Sequence, residues 1–368
     1  MSVPHEEGGP RLRMPAEWEP HDAVWLAWPH DPVSFAGGLT GVERTYLRII
    51  LEIHKTEAVE LLVRGRAMRD RVRGLLHGAR VDPARVRLHV RDYADVWIRD
   101  YGPTFVEAGD PARPAMVRWR FNAWGGKYRE LLKDARVFDA MEQRPGTACL
   151  RPGVVMEGGS FDVNGRGTLI TTEQCLLNKN RNPGLGRAAI EAKLRRFLGV
   201  EKILWLRGGI AGDDTDGHVD DVARFVAPSA CVCALEDRAC DENYGPLKAN
   251  YEALCRMTDQ DGRPLEVLRL PMPEAMINES GRLPASYANF YVGNGVVLAP
   301  VFGCARDEAA LRVLEKAFPG RRLAPIFCAE MISGLGAVHC ASQQQPAAAR
   351  GAPATCGRKA PLSRRAAS

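Results

Sequence analysis

Apolar positions along the chain keep two different spacings in turn. Val42, Tyr46, Ile49, Ile50 and Ile53 fall on one helical face, and after a short polar break Val59–Val63 forms an apolar run suited to a buried strand. The same succession returns three times. Residues 187–198 lead into Ile203–Leu206, 245–258 into Leu265–Leu270, and 307–318 into Leu323–Phe327. Those three strands recur at about sixty residues, a spacing that suits an internal repeat. Further strands are predicted at Ala23–Trp28, Met116–Phe121, Gly167–Thr172, Val222–Val226 and Val296–Phe302. Strands alternating with helices throughout predict a mixed α/β architecture rather than a bundle or a sandwich. Periodicity leaves open a doubly wound sheet and a radial array of α/β units.

The ends break the pattern. Residues 1–13 are polar and glycine-rich, while 346–368 consist mainly of Ala, Pro, Gly, Ser and Arg, so both are expected to be disordered, leaving 14–345 as one continuous domain. The formal net charge of +5 is partly concentrated in the tail, at Arg350, Arg358, Lys359, Arg364 and Arg365. With the main body near balance, the tail reads as a solvated terminus and nucleic acid is not an expected partner. No apolar run approaches the roughly 20 residues of a membrane span, and the N-terminus lacks an apolar signal core, so the expected location is the cytoplasm. Ten cysteines in 368 residues, none in a CxxC pair, suggest buried reduced thiols rather than a disulfide scaffold or structural zinc.

Four segments carry candidate chemistry. In residues 334–345 a loop with Gly334 and Gly336 delivers Cys340 beside His339; glycines permit close approach to a ligand, and a thiol near a histidine can be held as thiolate, although an inert buried thiol is the common alternative. Residues 212–221 pack five aspartates around His218. If His218 and Asp220 lie on an extended segment, they project to one face and place a proton carrier beside an anion. The same residues could form an acidic surface turn, or ligate a pair of Mn²⁺-like ions whose bound hydroxide attacks a guanidinium group. In residues 95–104, Trp97 could offer its ring to a planar cation while Asp100 accepts its N–H donors; alternatively Arg99 pairs with Asp100 in a structural salt bridge. Finally, Glu157 precedes Gly158 and Gly159, where it could approach a ligand, orient a histidine, or simply end a strand at a turn.

Together and in this order, the four segments resemble the agmatine deiminase family of guanidine-modifying enzymes. Residues 14–21 (MPAEWEPH), Trp119 to Gly126 and Ser286 to Tyr291 extend the likeness from Met14 to Pro346. The resemblance implies a five-bladed pseudo-symmetric α/β propeller and hydrolysis of agmatine to N-carbamoylputrescine and ammonia in putrescine synthesis, without metal or organic cofactor. It assigns Cys340 as nucleophile, His218 as acid and base, Glu157 as its orienting partner, Asp100 and Asp220 as guanidinium ligands, and a small-molecule guanidinium compound as substrate. It also suggests a homo-oligomer. Leu335 and Ala337 stand where the family often has glycine and asparagine, and Ala341–Ser342 replaces a frequent Ile–Thr pair. Related activities retaining the same thiol are deimination of arginine or peptidyl-arginine and transfer of the amidino group to an amine; a non-catalytic binding protein is the alternative of a different class.

Overall fold

The helix-then-strand succession resolves into one building unit used five times, in which two antiparallel strands are followed by a connection to a third strand parallel to the second. The computed structural model describes residues 11–35, 38–109, 112–141 and 148–347. Three units share a clear helical crossover. Phe161–Val163 and Thr168–Thr172 lead through helix Arg187–Leu198 to Lys202–Leu206. Ala223–Ala227 and Ala230–Leu235 lead through Tyr244–Leu254 to Glu266–Pro271. Tyr291–Val292 and Val296–Val301 lead through Asp307–Ala317 to Arg322–Phe327. A fourth unit pairs Thr104–Ala108 with Arg113–Val117 and ends on Ala148–Leu150.

The fifth unit is assembled from both ends of the chain. Ser342–Pro346 pairs antiparallel with His21–Ala27, after which helix Leu39–Ile53 crosses to the parallel strand Ala58–Val63 and helix Arg66–Gly78 to Val86–Val90. The apolar stripe predicted on the first of these helices is buried in full: Val42, Tyr46, Ile49, Ile50 and Ile53 join Trp25, Trp28, Phe290, Leu298 and Ile326 in the largest core cluster. Burying such side chains contributes about 1.5–3 kcal/mol each, so this face fastens the terminal unit to its neighbour.

Among the described residues the strands thus form five sheets of three or four strands and a small hairpin, Ile277–Asn278 with Gly281–Arg282. The mixed α/β expectation stands. Strand bounds moved modestly: Met116–Phe121 became Arg113–Val117, with Arg120 only bridging to Val155. The ordered chain also reaches beyond 14–345. Leu12–Arg13 pairs with Thr104–Ala108, and Arg13 lies 2.8 Å from both Glu19 and Glu107, ion pairs that tie this polar segment down. Pro346 completes the last strand, and Ala347 donates to the Pro20 carbonyl at 2.8 Å; residues 1–10 and 348–368 of the expected disordered ends lie outside the described residues. No described helix is long and apolar enough to cross a membrane.

A positional regularity governs the site. In every unit, the residues just ahead of the first strand carry a candidate group: Asp100, Glu157, His218 to Asp221, Asn289 and Cys340.

Candidate active site

Cys340 follows a loop shaped by close packing against an indole. Added β-carbons at Gly334 and Gly336 would meet the Trp97 ring at 3.0 and 2.5 Å, so neither position accommodates a side chain without displacement. Between them Leu335 adopts φ 69°, the left-handed region that glycine enters without steric cost. The backbone amide of Arg99 donates to the Cys340 carbonyl at 3.2 Å, binding the Asp100 helix, Ile98–Tyr101, to the thiol loop.

Asn289 holds the thiol. Its Nδ2 donates to Cys340 Sγ and to Asp221 Oδ1, both at 3.0 Å, while its Oδ1 accepts from the amides of His339 (2.9 Å) and Cys340 (3.2 Å). Burial pushes the Cys340 pKa well up, with the Asp220, Asp221 and Asp100 carboxylates adding to it and the Asn289 donor opposing. Asp221 is likewise pushed well up, by burial and by its neighbour Asp220. Burial and the neighbouring carboxylates thus favour the thiol over the thiolate.

The remaining groups close around Gly159. A β-carbon there would stand 2.6 Å from His218 Nδ1 and 3.0 Å from both Asp100 Oδ1 and Asp220 Oδ2, so the absence of a side chain is what lets the three approach one another. Asp100 accepts from Trp124 Nε1 at 2.9 Å and from the Gly159 amide at 3.0 Å. Burial raises its pKa to about 6, helped by Asp220 and Glu157 and opposed by His218. Asp220 Oδ2 lies 3.7 Å from Cys340 Sγ. His218 sits 3.8 Å from Asp100 and 3.9 Å from Glu157. Burial disfavours its charged ring, but Asp100, Cys175 and Glu157 outweigh this and hold the imidazole pKa well above its ordinary value. Glu157 is fixed through its other oxygen by Arg181 Nε at 2.7 Å.

Several expectations are revised. His218 and Asp220 do not share an extended segment: Val219–Asp221 is a 3₁₀ turn, and the turn itself brings both side chains to Gly159. Arg99 does not pair with Asp100. Its guanidinium reaches Glu17 (3.2 Å) and Gln344 (2.6 Å), because the chain's last strand passes on that side. Of the five aspartates, three build the loop: Asp213 accepts from the amides of Thr215, Gly217 and His218, Asp214 from the Tyr128 hydroxyl, and Asp216 from Arg181 and Asn180. Trp97 is buried, tilted against Phe35 and beneath the two loop glycines.

Behind the site lies a buried ionic network. His339 Nδ1 meets Asp220 Oδ2 at 2.7 Å and its Nε2 meets Glu17 Oε2 at 2.9 Å, while Arg224 and Arg99 flank Glu17 at 3.1 and 3.2 Å. Although burial opposes ionisation, Arg224, His339 and Arg99 hold Glu17 well below the usual carboxylate range. The sequence gives no role to Asn289, Asp221, Glu17 or Arg224, and His339, expected to hold the neighbouring thiol as thiolate, engages Asp220 and Glu17 with its two ring nitrogens instead. Only position could have flagged Asn289: it precedes its unit's first strand, like Cys340 and Glu157.

Comparison with known proteins gives the family. Residues 13–346 match the family model of the Porphyromonas-type peptidyl-arginine deiminases. A protein described as agmatine deiminase from Stutzerimonas stutzeri is 37% identical over 369 residues, covering 94% of this chain and 98% of its own. The chain belongs to the agmatine deiminase family. A putative agmatine deiminase of Legionella pneumophila is 38% identical over 335 residues, covering 90% of this chain and 94% of its own. The solved agmatine deiminase of Enterococcus faecalis superposes with a TM-score of 0.85 at 32% identity, covering 94% of this chain and 99% of that one. Like other members, the chain is a hydrolase acting on a guanidino C–N bond. As to metal, the candidate ligand groups among the described residues, Glu157/Cys175/His218 and Asp220/Asp221/Cys340, each contain a thiol, a donor set for softer cations than Mn²⁺.

Proposed function

We propose that this agmatine deiminase family member hydrolyses agmatine to N-carbamoylputrescine and ammonia through a covalent intermediate on Cys340. The observation that carries the reading is a buried thiol facing Asp100, Asp220 and a cationic His218, with Asp220 Oδ1 and Glu157 Oε2 buried and without hydrogen-bond partners among the described residues. Unpaired buried acceptors are costly, and a guanidinium supplies planar N–H donors to satisfy them.

In this reading Asp100 and Asp220 grip the guanidinium nitrogens and keep the central carbon electrophilic. Trp97 forms a wall of the site. The substrate's charge offsets the carboxylates that hold the Cys340 proton, so the cation helps generate its own nucleophile. As the cation binds, the Cys340 proton passes to solvent, and the thiolate sulfur attacks the guanidinium carbon. His218, its charged form held by Asp100 and Glu157, gives its proton to the departing nitrogen, and the C–N bond breaks to leave a thiouronium and ammonia. The same ring then takes one proton from water attacking that carbon, and the C–S bond breaks as the remaining hydroxyl proton passes to the departing sulfur, releasing the carbamoyl product and the thiol. Glu157, pinned by Arg181, orients the ring.

The five repeated units support a five-bladed α/β propeller with the site on its axis, and we take the enzyme to be cytoplasmic and self-associating. The test of function is ammonia release from agmatine, free arginine and a blocked arginine peptide, each with and without chelator. Chelator-resistant release from agmatine alone is expected. Chelator-sensitive release would move the chemistry to metal-bound hydroxide, release from the peptide would favour a peptidyl-arginine deiminase, and silence on all three would sink the reading.

A further inference from the structure

Cys175 touches no reacting atom in the chemistry above, yet it reaches the same histidine and helps keep it charged. It sits in the short helix Glu173–Leu176 directly after strand Thr168–Thr172, its amide donating to Thr172 Oγ1 at 3.2 Å. Cys175, Glu157 and His218 are all buried, and the thiol sulfur, a carboxylate oxygen and a ring nitrogen lie within 4.8 Å of one another. Independently, Glu157 Oε2 and both His218 ring nitrogens lack hydrogen-bond partners among the described residues. Glu157 Oε2 and His218 Nε2 are 3.9 Å apart.

One thiolate, one imidazole and one carboxylate are the ligand types that zinc prefers, at bonds of about 2.0–2.3 Å; a tetrahedral ion therefore sets its ligand atoms about 3.3–3.8 Å apart. Rotations moving these atoms by about half an ångström would close the trio on an ion, leaving the fourth position for water. The second thiol-bearing trio is already engaged: Asn289 donates to both Cys340 Sγ and Asp221 Oδ1, and His339 meets Asp220 Oδ2.

We propose that Glu157, Cys175 and His218 form an inhibitory site for Zn²⁺. On binding, the Cys175 thiol and the charged His218 ring each release a proton to the buffer as the Zn–S and Zn–N bonds form, so the ring can no longer carry protons. Inhibition rests on the deiminase reading; metal binding does not.

The test uses the full chain, its Cys340→Ala variant, which keeps the proposed trio, and Cys175→Ala, with Cys175→Ser as a smaller change should the alanine variant fold poorly. Zn²⁺ affinity is measured by competition with a chromogenic chelator, and Co²⁺ is added to read a thiolate-to-metal charge-transfer band. We expect one tight equivalent in the unmodified chain and in Cys340→Ala, with the charge-transfer band in both. Replacing Cys175 should weaken binding at least about 100-fold, since loss of even outer-shell partners costs 10–100-fold. Zn²⁺ should inhibit ammonia release from agmatine, chelator should restore it, and Cys175→Ala should turn over but ignore zinc. Unchanged affinity in both Cys175 variants, loss of the site in Cys340→Ala, or no bound zinc would each overturn the proposal. If agmatine proves not to be a substrate, the cobalt spectrum of Cys340→Ala still decides the site.

Discussion

Replacing Asp100 by asparagine tests the guanidinium grip at a point where the structure limits the outcome. Each carboxylate oxygen already accepts one hydrogen bond, Oδ2 from Trp124 and Oδ1 from the Gly159 amide. An asparagine amide offers one acceptor, so one of these donors must face an NH₂ group, at a cost of about 1–3 kcal/mol in stability. The substrate also loses a charge-assisted hydrogen bond worth about 1.5–3 kcal/mol, which is about 10- to 150-fold in kcat/KM. A pH signature separates this from general damage. Burial first, then Asp220 and Glu157, raise Asp100 to about 6, so the unmodified enzyme should lose kcat/KM as pH falls through that value and the carboxylate takes a proton. The sign for stability is opposite: a folded-state pKa above the unfolded one means the native state binds the proton more tightly, and Asp100 costs stability as pH rises from about 4 to 6. Asp100→Asn should lack the acid limb in kcat/KM and show less of that stability loss. Initial rates of ammonia release across pH, with thermal melts, read both. A kcat/KM within threefold of the unmodified enzyme, or an acid limb that persists in the variant, would refute the assignment.

Other substitutions probe the remaining contacts. Cys340→Ser should abolish turnover while leaving the melting curve near normal, because the hydroxyl can still accept from Asn289; near-normal ammonia release would remove Cys340 from the mechanism. Asn289→Ala takes away the donor to sulfur and should slow both turnover and iodoacetamide alkylation of Cys340 about 10- to 150-fold, the equivalent of one hydrogen bond to a charged group; unaltered alkylation would mean the contact is structural only. Gly159→Ala pushes a methyl to within 3.0 Å of His218, Asp100 and Asp220, and displacements near 1 Å at a reacting centre cost about 100-fold, so a variant with more than a third of normal kcat would contradict the packing argument. Leu335→Gly relieves a left-handed residue at φ 69° and should change unfolding free energy by no more than about 1 kcal/mol; a larger loss in chemical denaturation would show that the leucine side chain matters more than its backbone.

The hydrophobic pattern by itself determined the mixed α/β class and many of the strands, because period-3.6 and apolar runs report burial: every residue of the predicted stripe on Leu39–Ile53 is buried, although the buried strands Thr104–Ala108, Phe161–Val163 and Ala230–Leu235 were not predicted. It missed Arg66–Gly78, where only Val72 and Leu76 are buried and the stripe is too narrow to read. It also missed the strand Val86–Val90 at its sheet's edge, buried fully only at Val86. The four chemical segments were legible because a nucleophile, a proton carrier and carboxylates beside glycines are uncommon together in short stretches. Which carboxylates serve the site was not. Asp213, Asp214 and Asp216 differ from Asp220 only in where a 3₁₀ turn and the Arg181 ion pairs aim them. Asn289 reads as an ordinary amide until the fifth unit closes on Ser342–Pro346 and sets it against a thiol 51 residues away. The site is made of one segment from each repeated unit, so its residues are far apart in sequence and meet only when all five units pack; side-chain identity is local, but hydrogen-bond partners, burial and the resulting charge states belong to the tertiary structure.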